Sequence, residues 1–259
     1  MSMTLLNVAG AAGGPGDDFA AAGEGSWAVA IDGATARPGV ETGCIHDPAW
    51  YARTLGAHLG FLLTLDEEAP LADLLEEAIA RTCREHGHTC DLTNPDSPSA
   101  AVAIARRSGG RLDALALADS PVVVQTRDEL RVVKDDRNDF LGDYSNEGVA
   151  RARNVPGGFW VASTAPQAAH EALTASTVWA DVERVAVLTD GAARLVERFG
   201  IWEWGELVQR LADEGPAAVI ARTRRAEEAE TDEDRARFKR RGKQHDDATA
   251  ILWAPGAQP

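Results

Sequence analysis

Aspartate recurs in this chain at the ends of apolar runs, next to small residues. Asp17 and Asp18 follow Gly13-Gly14-Pro15-Gly16. Asp32 closes the run SWAVAI and is followed by Gly33. Asp119 closes LDALALA, Asp190 closes VAVLT and is followed by Gly191, and Asp246-Asp247 stand just before the run ATAILW. A carboxylate at a strand end is held by a rigid scaffold yet reachable from solvent. Hard oxygen donors of this kind suit Mg²⁺ and Mn²⁺, and a following glycine lets the backbone approach closely. A lone Asp-Gly most often marks a turn. Two such pairs ending apolar strands, with Asp-Asp-Ala-Thr before a third, point instead to a divalent-cation centre assembled by folding.

The elements that must position these carboxylates follow from hydrophobic periodicity. Residues 26–31, 101–107, 112–118, 122–126, 130–134, 158–163, 185–189 and 249–253 read as strands, most with period-two alternation. Residues 47–63, 71–85, 166–174, 192–199, 202–214 and 216–230 read as helices with one apolar stripe. Helices bunched between runs of hairpin strands predict an α+β fold of antiparallel sheets with helices outside. One domain spanning residues 1–259 is expected, with an irregular stretch at 1–16 and a polar, irregular segment at 135–153.

Composition narrows the functional classes. The 259 residues carry a formal charge of −15 and are 44% apolar, enough for a sizeable core. Such a polyanion repels nucleic-acid phosphates and anionic lipid, so neither partner is expected. No apolar run approaches the ~20 residues of a membrane span. The first residues lack a basic, then apolar, leader, so the expected location is cytoplasmic. Three cysteines, Cys44, Cys83 and Cys90, make no disulfide framework.

The ordered set Asp17-Asp18, Ala30-Ile31-Asp32-Gly33, Leu117-Ala118-Asp119-Ser120, Leu188-Thr189-Asp190-Gly191 and Asp246-Asp247-Ala248-Thr249 resembles the metal-dependent protein phosphatases of type 2C, over about residues 17 to 253. The resemblance implies a four-layer αββα sandwich, with two central antiparallel sheets flanked by helices. It also implies two Mg²⁺ or Mn²⁺ ions at the sheet edge. Asp32 would bridge both ions, Gly33 would offer its carbonyl to one, and Asp190 and Asp246 would hold the other. Asp17 would act through water, with Asp18 beside it, and Asp119 can help hold a third, weaker ion. The implied activity is hydrolysis of phosphoserine and phosphothreonine in proteins by water activated between the ions. A small phosphorylated metabolite as substrate, and a degenerate phosphatase-like binding module, are the rival readings. The presence of Asp32, Asp190 and Asp246 together argues against the last.

Four positions depart from the family pattern, one of them Ala118, where Gly usually precedes the Asp-Ser. Gly13 stands where an Arg usually grips the substrate phosphate, Ala34 where eukaryotic members carry His, and Asp247 where Asn is usual. Arg37, and after it Arg53, are the substitute cations nearest Asp32 in sequence. Arg224 to Lys243 is locally basic and leads to Asp246; it reads as a solvated helix or as a guide for an anionic substrate. Residues 135–153 correspond to a variable flap beside the family's site, with Phe140, Leu141 and Tyr144 available for packing. Cys83, His86, His88 and Cys90 offer four zinc-type ligands in eight residues, at a spacing too tight for the common finger or ribbon; a plain helix terminus is the simpler reading. Residues 10–16 are glycine-rich but lack the lysine of a phosphate-binding loop.

Overall fold

The computed structural model describes residues 2–8, 16–23, 25–34, 39–236 and 243–254. Two antiparallel sheets of five strands form its centre. One has the order β1 (Ser2–Val8), β10 (Ala248–Ala254), β9 (Val182–Leu188), β6 (Val122–Thr126), β7 (Leu130–Val133). The other runs β2 (Phe19–Gly23), β3 (Trp27–Gly33), β4 (Ala100–Ser108), β5 (Arg111–Leu117), β8 (Leu173–Val178).

Alternation along each strand decides the layers. In the β3 sheet, Ala28, Ala30, Ala103, Ala105, Ala114 and Ala116 face the other sheet, where Val122, Val124, Val185, Val187, Ile251 and Trp253 meet them. Small side chains on one sheet against bulky ones on the other fill the gap without voids. The outer face of the β3 sheet, including Val29, Ile31, Val102 and Ile104, packs on α1 (Pro48–Leu65) and α2 (Leu71–His86). The outer face of the other sheet, including Val123, Ala186, Leu188 and Leu252, packs on α4 (Asp190–Glu197), α5 (Trp204–Glu214) and α6 (Pro216–Ala229). The result is the expected αββα sandwich.

Several local expectations need correction. Residues 2–8, expected to be irregular, form β1, paired from Ser2 with Ala254 to Val8 with Ala248. Residues 9–15, which complete the expected irregular stretch apart from Met1 and Gly16, lie outside the described residues. Residues 158–163 are no strand: isolated bridges, Ala100 with Ala162 and Arg153 with Phe159, replace it, because Pro156-Gly157-Gly158 turns the chain there, with Gly157 at φ 80°. Residues 166–174 form a 3₁₀ turn over Pro166–Glu171 and then enter β8. That strand lies at the sheet edge with Leu173 and Val178 exposed, so its apolar pattern is too weak to announce it. The short helices α3 (Asn146–Ala152) and α7 (Asp232–Ala236) complete the elements. No helix among the described residues is long and apolar enough to cross a membrane. The odd cysteine count concealed one pair, since Cys44 and Cys90 form a disulfide with Cα atoms 4.3 Å apart.

Candidate metal centre

Asp32 shares its strand face with Ala28 and Ala30, so it closes the inner face of β3 at one end of the gap between the sheets. From the opposite sheet, the inner face of β9 runs on through Val185 and Val187 to Thr189, and that of β10 begins at Thr249. Asp190 opens α4, where the helix dipole favours an anion. Asp18, only 7% exposed, joins these strand ends. Its Oδ2 accepts from Thr189 Oγ1 at 2.9 Å and Thr249 Oγ1 at 2.7 Å, while Thr189 Oγ1 accepts from the Thr249 amide at 2.9 Å. Asp18 Oδ1 is buried and has no hydrogen-bond partner among the described residues.

The glycines have a packing reason that the Asp-Gly pairs alone do not reveal. A Cβ on Gly33 would lie 2.5 Å from the Asp17 carbonyl oxygen, and one on Gly191 would lie 1.8 Å from that of Asp247. Each Asp-Gly therefore admits another aspartate segment against its backbone. The Asp17 amide donates to Asp247 Oδ2 at 2.5 Å, tying those two segments together.

Crowding of acids shows in their protonation. Burial, then the carboxylates of Asp190, Asp18, Asp246 and Asp119, push Asp32 well above the usual carboxylate range. Burial raises Asp18 to about 8 against the lowering by its two threonine hydrogen bonds, with Asp247 and Asp190 adding to the rise. Carboxylates crowded and buried in this way favour a cation. The unpartnered Asp18 oxygen and the all-oxygen donor set fit Mg²⁺ or Mn²⁺. Asp17, Asp18, Asp32, Asp119, Asp190 and Asp246 are the side chains able to contribute, with the Gly33 carbonyl.

Three groups that motif reading missed, Arg194, Glu227 and Asn138, complete the site together with Lys243 from the basic stretch that leads to Asp246. Arg194, on α4 one turn after Asp190, donates to Asp246 Oδ2 at 2.6 Å and to Glu227 Oε1 at 2.8 Å. Glu227 itself has no exposed side-chain surface. Lys243 Nζ stands 3.6 Å from Asp246 Oδ1 and 3.8 Å from Asp17 Oδ2, with its side chain 40% exposed. Asn138 donates to Asp119 Oδ2 at 2.7 Å, tying residues 135–153 to the acidic cluster. These residues form the 3₁₀ turn Arg137–Phe140 and α3 beside a cleft of about 870 Å³. Leu141 packs against the cluster that holds Phe159 and Val161, whereas Phe140 is 77% exposed. Arg37 lies outside the described residues, as does Gly13, and Arg53 is exposed on α1.

Ala118, at the position where the family carries glycine, has φ 64°. A left-handed residue with a Cβ costs about 1–2 kcal/mol. Glycine would relieve that cost but lose comparable amounts in chain entropy and methyl packing, so A118G should leave stability nearly unchanged. A118V puts a branched Cβ at the same φ in buried surroundings and should cost about 2 kcal/mol or more. Thermal melts of the metal-free protein check both, with a drop of about 4–8 °C expected for A118V.

A model of the family described as Protein phosphatase 2C matches residues 11–226. Among solved structures, the serine/threonine phosphatase Stp1 from Staphylococcus aureus is 10% identical, with 98% of this chain and 95% of that one covered and a TM-score of 0.62. The catalytic domain of the serine/threonine protein phosphatase PstP, in complex with 2 manganese ions, is 16% identical, with 97% and 96% covered and a TM-score of 0.53. The phosphatase MsPP from Mycobacterium smegmatis, in complex with cacodylate, is 13% identical, with 99% of both chains covered and a TM-score of 0.55. At these identities the likeness is one of fold. No curated protein matches the chain.

Proposed function

The chain belongs to the protein phosphatase 2C family, and from that premise we propose that it is a Mg²⁺- or Mn²⁺-dependent phosphomonoesterase acting on phosphoserine and phosphothreonine in proteins. The observation that carries this reading is the meeting of Asp18, Asp32, Asp119, Asp190 and Asp246 at one end of the inter-sheet gap, where their mutual repulsion registers in the raised Asp32 and Asp18. Bound there, two hard cations supply the positive charge that a phosphate dianion and an attacking water both require.

The chain's own residues set the stage for that chemistry. Asp32, which feels the carboxylates of Asp190, Asp18, Asp246 and Asp119, would serve both ions, and the Gly33 carbonyl would join it on one of them. Asp190 and Asp246 would hold one ion, Asp17 would act through water, and Asp119, to which Asn138 donates, would assist at the flap side. Lys243 takes the place of the phosphate-gripping arginine that Gly13 lacks. Its long, half-exposed side chain can leave Asp17 and Asp246 to meet a phosphate. The cleft beside residues 135–153, lined by Arg137, Arg151 and Trp160 together with Asp136, Asp143 and Glu171, offers charged and aromatic surface to the chain flanking a phosphorylated residue.

A Mn²⁺ titration with p-nitrophenyl phosphate, followed by matched panels of phosphopeptides and phosphorylated metabolites, tests the reading. Metal-dependent turnover with preference for phosphopeptides is expected, and K243A should raise KM about 10-fold while changing kcat less. Absence of metal-dependent turnover would overturn the enzyme assignment and favour a binding module. Preference for metabolites would overturn the protein substrate.

A further inference from the structure

A second cluster of ligating side chains lies apart from the aspartates. Cys44 and His46 come from the segment leading into α1, His86 ends α2, and Cys90 follows it by four residues. One ligand atom from each, all four within 4.8 Å of one another, makes a Cys₂His₂ set. The sequence had suggested Cys83 and His88 for this role. Cys83 instead donates to the Ser163 carbonyl, and His88 is exposed. Cys44 and His46 take their places from about forty residues upstream.

We propose that Cys44, His46, His86 and Cys90 in their reduced state bind one zinc ion, which fastens the segment before α1 to the end of α2. The sulfur–nitrogen edges carry the argument. Zinc bonds of about 2.3 Å to sulfur and 2.0–2.1 Å to nitrogen give tetrahedron edges of about 3.6 Å between the two atom types. His46 Nδ1 lies 3.6 Å from Cys44 Sγ and 3.4 Å from Cys90 Sγ, and His86 Nδ1 lies 3.5 Å from Cys44 Sγ.

The surroundings agree. His86 is fully buried, yet its Nε2 has no hydrogen-bond partner among the described residues, so its polar contact is with sulfur. The His46 amide donates toward Cys44 Sγ from 3.5 Å, a contact that favours thiolate. His46 is stacked on Trp50, with ring centroids 3.8 Å apart. The Asp91 amide donates to the Gly43 carbonyl at 2.8 Å, joining the two ligand-bearing segments independently. Binding releases two thiol protons to solvent and forms two zinc–sulfur and two zinc–nitrogen bonds. The Cys44–Cys90 disulfide uses the same sulfurs, so zinc and the disulfide exclude one another, and only the zinc state uses the two imidazoles.

The test is independent of the phosphatase reading. Reduced, metal-free protein is titrated anaerobically with Co²⁺. The expected result is one equivalent bound with tetrahedral ligand-field bands and thiolate-to-cobalt charge transfer, a signature that aspartates cannot produce, and its loss when one equivalent of Zn²⁺ is added. C44S and C90S should weaken the charge-transfer band, whereas C83S and H88A should leave it unchanged. Because a cysteine variant could fail to fold, H46Q supplies a second reading: the ligand-field bands shift while the charge transfer persists. Absence of charge transfer in the reduced wild type, or full retention in folded C44S, would overturn the proposal. So would a disulfide that persists in protein purified and kept in reductant.

Discussion

Asp32→Asn abolishes Mn²⁺-dependent phosphate hydrolysis, by about 10³-fold or more, and at the same time makes the metal-free protein more resistant to unfolding. Both effects come from one cause. Asp32 sits where carboxylates from both sheets meet, and burial with four neighbouring acids raises its pKa far above the ordinary range. An amide keeps the shape and removes the charge, so cations bound as proposed would lose their shared donor while the fold loses a source of repulsion. The gain should reach about 1–2 kcal/mol, and it depends on pH. A carboxyl group whose folded pKa is raised binds more protons folded than unfolded between the two values. For Asp18 this window runs from 3.8 to about 8, and metal-free wild type should lose stability across it as pH rises. D32N should lose less, so the two melting curves coincide in acid and diverge toward neutrality. Saturating Mn²⁺ should erase or reverse the difference. Melting curves at several pH values, with and without Mn²⁺, beside turnover of an aryl phosphate, test this. Active D32N, or D32N less stable than wild type at neutral pH without metal, would show that Asp32 is not the shared ligand.

The carboxylates were legible because each breaks an apolar run abruptly: Asp32 after Ala30-Ile31, Asp190 after Leu188-Thr189, Asp246 before the run of β10. The central strands β3 to β6, β9 and β10 were legible for the same reason, since burial on both faces demands long apolar runs. The edges were not. β2 is Phe19 followed by three alanines and a glycine, and β8 exposes Leu173 and Val178; a strand of small residues, or one with no buried residue, carries no apolar alternation to read. Within the site, nothing local says that Asp18 rather than Asp17 is the buried member of its pair. The two threonines that enclose Asp18 come from positions 189 and 249, and only folding brings them there. The zinc-type cluster misled for a related reason. Proximity in sequence grouped His88 and Cys83 with His86 and Cys90, while helix geometry turns Cys83 toward Ser163 and leaves the sulfur and imidazole of Cys44 and His46 to come from another segment.

Arg194 is the least legible residue of the site and the one whose loss should most harm the fold. In sequence it is a basic residue near the end of an amphipathic helix, where a solvated side chain is the ordinary outcome. In the structure its side chain is 7% exposed and its guanidinium is divided between Asp246 and the fully buried Glu227. It also donates to the Gln244 carbonyl at 3.1 Å, fixing the segment that carries Asp246. Burial works against its charge, but Asp246, Asp190 and Glu227 outweigh that and hold it above the ordinary arginine value. Replacing one member of a buried ion network leaves the others uncompensated, at about 3–5 kcal/mol. R194L should therefore lower the melting temperature by about 6–20 °C. Arg224 at 2.8 Å and His245 at 3.0 Å from Glu227 Oε2 moderate the loss without reaching Asp246 in its place. If repulsion at Glu227 dominates the cost, the double variant R194L/E227L should recover most of the stability, because an apolar pair can replace a buried ionic one. Mn²⁺ should then raise the melting temperature of R194L by more than it raises that of wild type, since a cation beside Asp246 restores the charge that the guanidinium supplied. Chemical denaturation of the single and double variants measures the first effect and thermal melts with added Mn²⁺ the second. An R194L protein as stable as wild type would mean that Arg194 is a surface cation and not the anchor of the Asp246 segment.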